Sequence, residues 1–596
     1  MKRFYLILLT LVISINTLFA ETVLIDGLYY SLGTTTAQVV KDQTSNNSVY
    51  SAYTTITIPA SVTYNDYTYP VTSIGVNAFQ ALSNLQSVTL PSSITTINDY
   101  AFYSCTKLGS VNLPEGLTSI GTSAFYNCNL TSITIPSTVT SISDGAFKSN
   151  PTTTIVWKPK TCNIGTDTYA PFYSTSSQVT SFTFGDEVEV VPAYLCKNMS
   201  QLDTVVLPPS VNRLGQYAFQ DCSSLKSINL PTTQKTLPVG FLYGCTSLET
   251  IELPATLTTI SDYVFYGCTS LSSVNLHEGI TSIGTSAFYN CKLSSITIPS
   301  TVTSISDGAF KSNPTTTIVW KPKTCTIGTD TYAPFYSTSS QVTSFTFGDS
   351  VQIIPAYLCK NMSKLENIVI PPTVTNIYRN AFQYCTRLKS FTFPQGLQIV
   401  ATSILEGCTA LQEVVIPSSV TTINQDAFYN CPSLQAIHNF AFTPQNIVDR
   451  TVYNVNKSTC ILYVPIDYID LYQAANVWKD FLNIVGVATD LQFEEQMIQV
   501  NYLKADSTLH YMEVQTWQVP HAPRIEGFTF IKWQVLAGDL ADGIVLQAVY
   551  EANNPTDVPQ DVVVNPANKA QKLIRNGNVY ILQDDKLYTI TGTKIN

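Results

Sequence analysis

One string of residues returns every 22 or 23 positions through most of this chain, and few folds tolerate that. Leu248-x-x-Ile251-x-Leu253-Pro254 is followed by Leu257-x-x-Ile260, then Val264-Phe265, then Cys268. Cys222, Cys245, Cys268 and Cys291 stand 23 residues apart. Such a period is the mark of a solenoid, in which each turn buries its apolar side only against its neighbours. A stack grows along one axis, so 596 residues need no single oversized core.

Turns begin at Leu85, Leu108, Leu130, Leu202, Leu225, Leu248, Leu271, Leu293, Leu365, Leu388 and Leu411. In each, Leu-x-x-Ile-x-Ile/Leu alternates as a strand with one buried face does. Pro91, Pro114, Pro136, Pro254, Pro299 and Pro417 end those strands, because proline cannot donate to a ladder. A second extended piece follows, as in Val139-Thr-Ser-Ile142. Ala-Phe then inserts a ring, at Phe102, Phe125, Phe288 and Phe428, to fill the wide end of the turn. The expected architecture is a mainly β repeat solenoid with short strands and irregular turns.

The regular array spans 85–433. Residues 116–200 reappear almost unchanged at 279–363, an offset of 163, so a block of turns was copied whole. Each copy holds one enlarged loop, Thr-Asp-Thr-Tyr-Ala-Pro-Phe-Tyr, at 166–173 and 329–336. A bare last turn would expose apolar surface and strand edges, so both ends need covers. Residues 21–84 read as the first cover with the first turn. Residues 434–487 read as the second, with a helix predicted from Asp467 to Phe481. Asp467 suits its N-cap, and Tyr468, Leu471, Tyr472, Ala475, Trp478 and Phe481 share one face. Residues 490–552 carry no repeat and read as a small separate β domain. Residues 553–570 are a proline-bearing linker, and 571–596 are strand–turn–strand pieces with an Asn576-Gly577 hairpin signal.

Residues 1–20 read as a secretory leader: Lys2 and Arg3, an apolar stretch from Phe4 to Ile15, and Ala20 before the cut. That stretch is short for a membrane span, and no cysteine follows it to carry a lipid. The expected product leaves the cytoplasm and is soluble or held by its C-terminus, as a monomer. The formal charge is −10, and −12 once Lys2 and Arg3 leave. So acidic a chain, with 12% charged residues, is a poor partner for nucleic acid or anionic membrane.

Fourteen cysteines in an exported chain suggest disulfides. Stacking argues otherwise, because aligned cysteines would stand about 5 Å apart with parallel Cβ bonds, whereas a bridge wants Cβ atoms about 3.8 Å apart. Moreover, Asn150, Asn313 and Leu82 occupy the same slot. Buried free thiols are expected.

Signals for catalysis are thin. Of the four histidines, His277, His438, His510 and His521, none has cysteine or carboxylate at metal-ligand spacing, and no Cys-x-x-Cys occurs. Nucleophile-elbow, P-loop and dinucleotide fingerprints are missing from the sequence. His277-Glu278 reads as a solvated turn and Asp584-Asp585 as a hairpin. No enzyme, metal or cofactor is expected.

Two rows of side chains are candidate binding surfaces. Tyr103, Tyr126, Tyr243, Tyr266, Tyr289 and Tyr429 stand two positions before a cysteine. Tyrosine offers contact area and a polar tip at low entropy cost, and it also serves as plain packing over the next turn. The strand alternation turns a second row outward, including Thr134, Glu252, Asn275 and Thr297. Serine and threonine suit any exposed strand, so this row too has a purely structural account.

The unit Leu-x-x-Ile-x-Ile-Pro-x-x-Val-Thr-x-Ile-x-x-x-Ala-Phe-x-x-Cys, as at 411–431, resembles the BspA-like, Treponema-type leucine-rich repeat over about residues 53–440. The resemblance implies a right-handed superhelix, covers like those of exported Bacteroidetes proteins, and a role as a surface adhesin for host matrix or microbial surface macromolecules. Phe528-Thr-Phe-Ile-Lys-Trp533 and Leu546-Gln-Ala-Val-Tyr550 resemble β-grasp-like repeats that follow such arrays in bacterial surface proteins. The tail 573–596 is similar to C-terminal sorting segments of type IX secretion. Two other functions remain open at this level: capture of a polysaccharide by exposed aromatic rings, and a spacer that binds nothing.

Overall fold

The computed structural model describes residues 21–44, 49–165, 170–328 and 333–487, and beyond them the backbone of strands between 497 and 595. The leader, the linker 553–570, the four residues starting each enlarged loop, Asn576-Gly577 and Asp584-Asp585 lie outside the described residues. The chain divides into one unit through Val487 and another from Ala488.

The first unit is a mainly β solenoid, and each regular turn has three sides. The Leu-x-x-Ile-x-Ile string forms the first. Ser132–Ile135 pairs in parallel with Thr154–Trp157, which pairs with Ser181–Phe184. Ile133 and Ile135 point inward while Ser132 and Thr134 are exposed, the alternation expected of a half-buried strand. The Val-Thr-x-Ile string forms the second side, where Thr96–Ile97, Ser119–Ile120, Ser141–Ile142 and Asn163–Ile164 stack in parallel register. Proline marks the corner between the two.

The third side, built by Ala-Phe-x-x-Cys, is a ladder without being a strand. Tyr100 N–H donates to the Thr122 carbonyl at 2.9 Å, Phe102 to Ala124 at 2.8 Å and Ser104 to Tyr126 at 2.8 Å. Tyr100 and Ser104 both sit in the left-handed region, at φ 56° and 58°. Left-handed backbone costs a non-glycine residue roughly 1–2 kcal/mol, and one bond to the next turn at each such residue offsets it. Gly240, at φ 59°, has a second reason to be glycine, since the Tyr217 ring occupies the space a Cβ would need.

Two columns fill the interior. The phenylalanine rings stack along the axis, with Phe102 5.1 Å from Phe125 and Phe125 5.3 Å from Phe147. The cysteine column hydrogen-bonds. Cys105 Sγ donates to the Phe79 carbonyl, Cys128 to Phe102, Cys245 to Phe219 and Cys291 to Phe265, at 3.1–3.3 Å. Asn150 Nδ2 donates to Phe125 at 2.8 Å and Asn313 Nδ2 to Phe288 at 2.7 Å, the same carbonyl one turn back. Cysteine and asparagine therefore interchange there by donating to the same carbonyl, while Leu82 and Met199 fill the slot by apolar packing alone.

All fourteen cysteines are buried and free. Burial pushes the Cys105, Cys268 and Cys385 thiols up to about 12. In the unfolded chain a thiol ionises near 8.5. The folded state then holds protons that the unfolded state has lost, so stability should fall as pH rises from about 9 towards 12. A thiol-reactive dye should label no cysteine of the native protein at pH 8 and all fourteen in guanidinium. Rapid native labelling would overturn the buried-donor account.

Segments without the regular repeat stand at both ends of the stack. At the start, Glu21–Ile25, Leu28–Leu32 and Ala37–Val39 form an antiparallel sheet that joins Tyr67–Ile74 in parallel. Tyr50 is buried there, donates to the Val40 carbonyl at 3.0 Å and starts the ring column 5.4 Å from Phe79. At the other end, Ala436–Asn439, Ile461–Pro465 and Asn483–Val487 continue the first side. Thr451 and Tyr453 carbonyls receive the last third-side N–H groups, from Phe428 and Asn430. Arg450 grips the largely buried Asp426 with two nitrogens, at 2.8 and 3.1 Å.

The helix of this second cover is shorter than the spacing predicts. Only Ile469–Ala474 is α-helical, with 3-10 turns at Ile466–Tyr468 and Trp478–Asp480. Asp467 lies in the first 3-10 turn and caps nothing. Ala475 is extended and Val477 is left-handed, so the face that sequence spacing assembles is broken. Tyr472, Trp478 and Phe481 are buried while Leu471 is half exposed. The break lets Trp478 cover the open end of the core and brings the chain back for a further parallel strand.

In the second unit, Met497–Leu503 pairs antiparallel with Leu509–Gln515. Phe528–Asp539 and Gly543–Ala552 form a hairpin, and Gln571–Arg575 of the tail pairs beside it. The tail strands Asn578–Gln583, Lys586–Thr589 and Lys594–Ile595 extend this six-stranded sheet. The hairpin 528–552 and the tail, assigned to different segments from the sequence, thus share one sheet, while Met497–Leu503 and Leu509–Gln515 pair only with each other among the described strands.

Candidate functional site

The two candidate rows occupy different sides of the turn. Thr134, Glu252, Asn275 and Thr297 are all exposed along the first side. Thr134 lies in register with Val156, and Val156 with Thr183. Neighbouring positions add exposed Val206 and Val369, 69% and 54% accessible. The inward partners along these strands, such as Ile133, Ile155 and Phe182, are buried.

Many hydroxyls of the chain are already in use. Thr95 Oγ1 donates to the Thr72 carbonyl, Thr118 to Thr95 and Thr140 to Thr118, each one turn back. After the corner proline, Ser93, Thr138 and Ser419 bond the carbonyls of Val71, Leu117 and Leu397. The abundance of serine and threonine is thus largely a device for tying turns together.

The tyrosine row follows the third side, and its rings lie on one another. Tyr103 and Tyr126 are 4.8 Å apart and 8° from parallel. Tyr243 to Tyr266 is 4.6 Å, and Tyr266 to Tyr289 is 4.5 Å. Tyr429 stacks on Tyr453 at 4.9 Å. All six predicted tyrosines are half-buried, with ring faces spent on each other. Flat platforms for a sugar are therefore not what these residues offer.

Read as the position after the Phe slot, the same column holds more than the sequence reading picked out. Lys148, Tyr173 and Lys197 follow Tyr126, and Lys311, Tyr336 and Lys360 follow Tyr289. The cysteine anchor hid them, because Asn150 and Met199 replace cysteine in those turns. Lys148 Nζ lies 5.8 Å from the Tyr126 ring centroid and 4.9 Å from that of Tyr173. Lys311 lies 5.6 Å from Tyr289 and 5.1 Å from Tyr336. Lys197 and Lys360 sit over Tyr194 and Tyr357 at 5.6 and 5.3 Å. Beside the second set, Tyr336, Ser339, Tyr357, Lys360 and Asn361 line a cavity of about 180 Å³.

The histidines divide. The two ring nitrogens of His277 each lie 2.9 Å from a backbone carbonyl, Nδ1 from that of the adjacent Glu278 and Nε2 from that of Pro254 one turn back. His438 meets Glu413 across adjacent strands at 3.0 Å and stacks on Tyr463 at 4.5 Å. This contact holds the Glu413 carboxyl below its usual range. The pairing spans one turn, so local spacing gave no sign of it. Among the described residues no cluster of three His, Cys, Asp or Glu side chains suits a metal ion, and no helix is long and apolar enough to cross a membrane.

A family model for the BspA type leucine rich repeat region matches in six copies, over residues 72–202, 189–317 and 329–458. Among solved structures, a leucine-rich repeat protein from Bacteroides ovatus is similar at 24% identity, over 74% of this chain and 99% of that one, with a TM-score of 0.45. A leucine rich cell surface protein from Faecalibacterium prausnitzii is similar at 22% identity, over 70% and 94%, with a TM-score of 0.28. The curated proteins contain no match.

Proposed function

The chain belongs to the BspA-type leucine-rich repeat family, and from that premise we propose that it is an exported adhesin, recognising a host matrix or microbial surface macromolecule through its repeat array. The supporting observation is the contrast between the two faces of the first side. Inward positions are mostly Leu, Ile, Val or Phe from turn to turn, with Trp157, Trp320 and Asn439 as buried exceptions. Outward positions change without affecting the stack: Thr134, Val156, Val206, Asn229, Glu252, Asn275. An extended sheet whose buried pattern is largely fixed and whose exposed pattern varies suits recognition of a large partner. Val206 and Val369 place exposed apolar side chains on that face.

The test is capture of partners by the chain from residue 21 onward, tail included, from mucosal extracts and neighbouring bacteria. Val206→Asp with Val369→Asp should weaken capture at least tenfold and leave the thermal midpoint within about 2 °C, as surface changes usually do. Replacing Tyr243, Tyr266 and Tyr289 with Ser should instead lower stability, since each stacked pair contributes about 0.5–1.5 kcal/mol. Undiminished capture by the valine double variant would remove this face from the reading, and a protein that captures nothing would leave the spacer role.

A further inference from the structure

The copied block carries more than turns: it carries a lysine–tyrosine–lysine arrangement twice. In the first copy Lys148 and Lys197 flank Tyr173 along the column, and in the second Lys311 and Lys360 flank Tyr336. The cation–ring distances agree between copies within a few tenths of an ångström: 4.9 and 5.1 Å for Lys148 and Lys311, 5.6 and 5.3 Å for Lys197 and Lys360. Tyr173 and Tyr336 are among the more exposed tyrosines of the third side, 39% and 41% accessible. Only 31 of the 596 residues are Lys or Arg, and the chain is acidic. Four of those cations are thus held on one side, against rings, next to the enlarged loops.

We propose that these are two duplicated subsites, unequal in strength, for acidic sugar residues of one linear anionic polysaccharide. The lysines supply positive charge for a carboxylate or sulfate. Tyr336 and Tyr357 supply aromatic wall for a sugar ring, and Ser339 and Asn361 line the same cavity of about 180 Å³, enough for a single ring. The subsites lie about seven turns apart, roughly 34 Å at the spacing of stacked strands. A ligand that repeats its own chemistry meets such a repeated site, whereas a peptide would need two matching acidic segments in register. Linking two weak sites through one chain raises affinity by about 10²–10⁴ without any new contact. The second subsite is the stronger, because Arg379 lies 5.6 Å from the Tyr357 ring where the first copy has Gln216.

This deepens the recognition reading, resting on it for biological purpose only, and purified components test it separately. Binding of the full chain to long-chain polygalacturonate, a heparin fragment of equal length, tetragalacturonate, dextran and poly-glutamate would be measured by calorimetry at two salt concentrations. Long polygalacturonate or heparin should bind at least 100-fold tighter than tetragalacturonate, and the preferred one identifies carboxylate or sulfate as the charge recognised. Lys311→Met with Lys360→Met should cost more than Lys148→Met with Lys197→Met, and all four should abolish binding. The four Lys→Arg counterparts should retain it, with unchanged circular dichroism throughout. Equal binding by the four-methionine variant, no binding of either acidic polysaccharide, or tighter binding of poly-glutamate would each overturn the proposal. Retained polygalacturonate binding with no surface partner captured would sink the adhesin reading alone.

Discussion

Phe125→Ala is expected to destabilise the solenoid by about 3–5 kcal/mol, the range for removing a fully buried ring from a core that only partly collapses. Phe125 is fully buried, and its ring touches a neighbour on both faces, Phe102 at 5.1 Å and Phe147 at 5.3 Å. Its backbone is tied as well: the N–H donates to Ala146 at 2.7 Å, and its carbonyl accepts Asn150. Alanine keeps those bonds, so the loss measures the ring. In a stack whose turns contact only their neighbours, the damage stays local. Hydrogen exchange should speed up mainly at the backbone amides of the flanking turns, around Phe102 and Phe147. Tyr126→Ala, one position on, removes a half-buried ring with one stacked tyrosine partner and should cost clearly less. A loss below about 1 kcal/mol for Phe125→Ala would show that the interior column is not the main support of the stack.

Trp478→Ala is expected to be of similar size, about 3–5 kcal/mol, but to act on one end. The indole is fully buried, 6.0 Å from the ring centroids of both Tyr472 and Phe481. Its N–H donates to the Gln445 carbonyl at 2.9 Å, and Gln445 in turn donates to Val420. Alanine opens a cavity at the closed end and leaves a buried carbonyl unpaired, adding about 1 kcal/mol or more. The turns from about 420 to 487 should unfold in an earlier, separate transition while those before them keep their midpoint. Limited trypsin digestion reads this directly, through faster cutting at Lys457 and Lys479. Leu471→Ala, at a half-exposed position on the same short helix, should change the midpoint by little. One cooperative transition shifted as a whole would contradict the independence of the end.

Much of the fold is legible without coordinates because each turn repeats its own instructions. The Leu-x-x-Ile-x-Ile alternation and the proline after it give the first strand and its corner, as Ser132–Ile135 and Pro136 show. The Val-Thr-x-Ile piece gives the second strand. The helix from Asp467 to Phe481 is where spacing misled. A three- and four-residue rhythm describes a continuous face, but closing an open end required Trp478 to be aimed by a left-handed Val477. The cysteine slot was legible as interior but not as a donor site, since its partner carbonyl lies 26 residues back. For the candidate site, anchoring the tyrosine row on cysteine found Tyr103, Tyr126, Tyr243, Tyr266, Tyr289 and Tyr429. It passed over the lysines that continue the column where asparagine or methionine fills the slot.

The repeat by itself determined that the chain stacks, which side chains face inward, and that one block was doubled. Those are consequences of local period, and period is written in the sequence. Only the tertiary structure decided that the tyrosines spend their faces on one another, that hydroxyls and thiols tie each turn to the one before, and that four lysines form two matching sets. Each of these depends on which residue stands one turn above another, and an enlarged loop shifts that count without changing any local pattern.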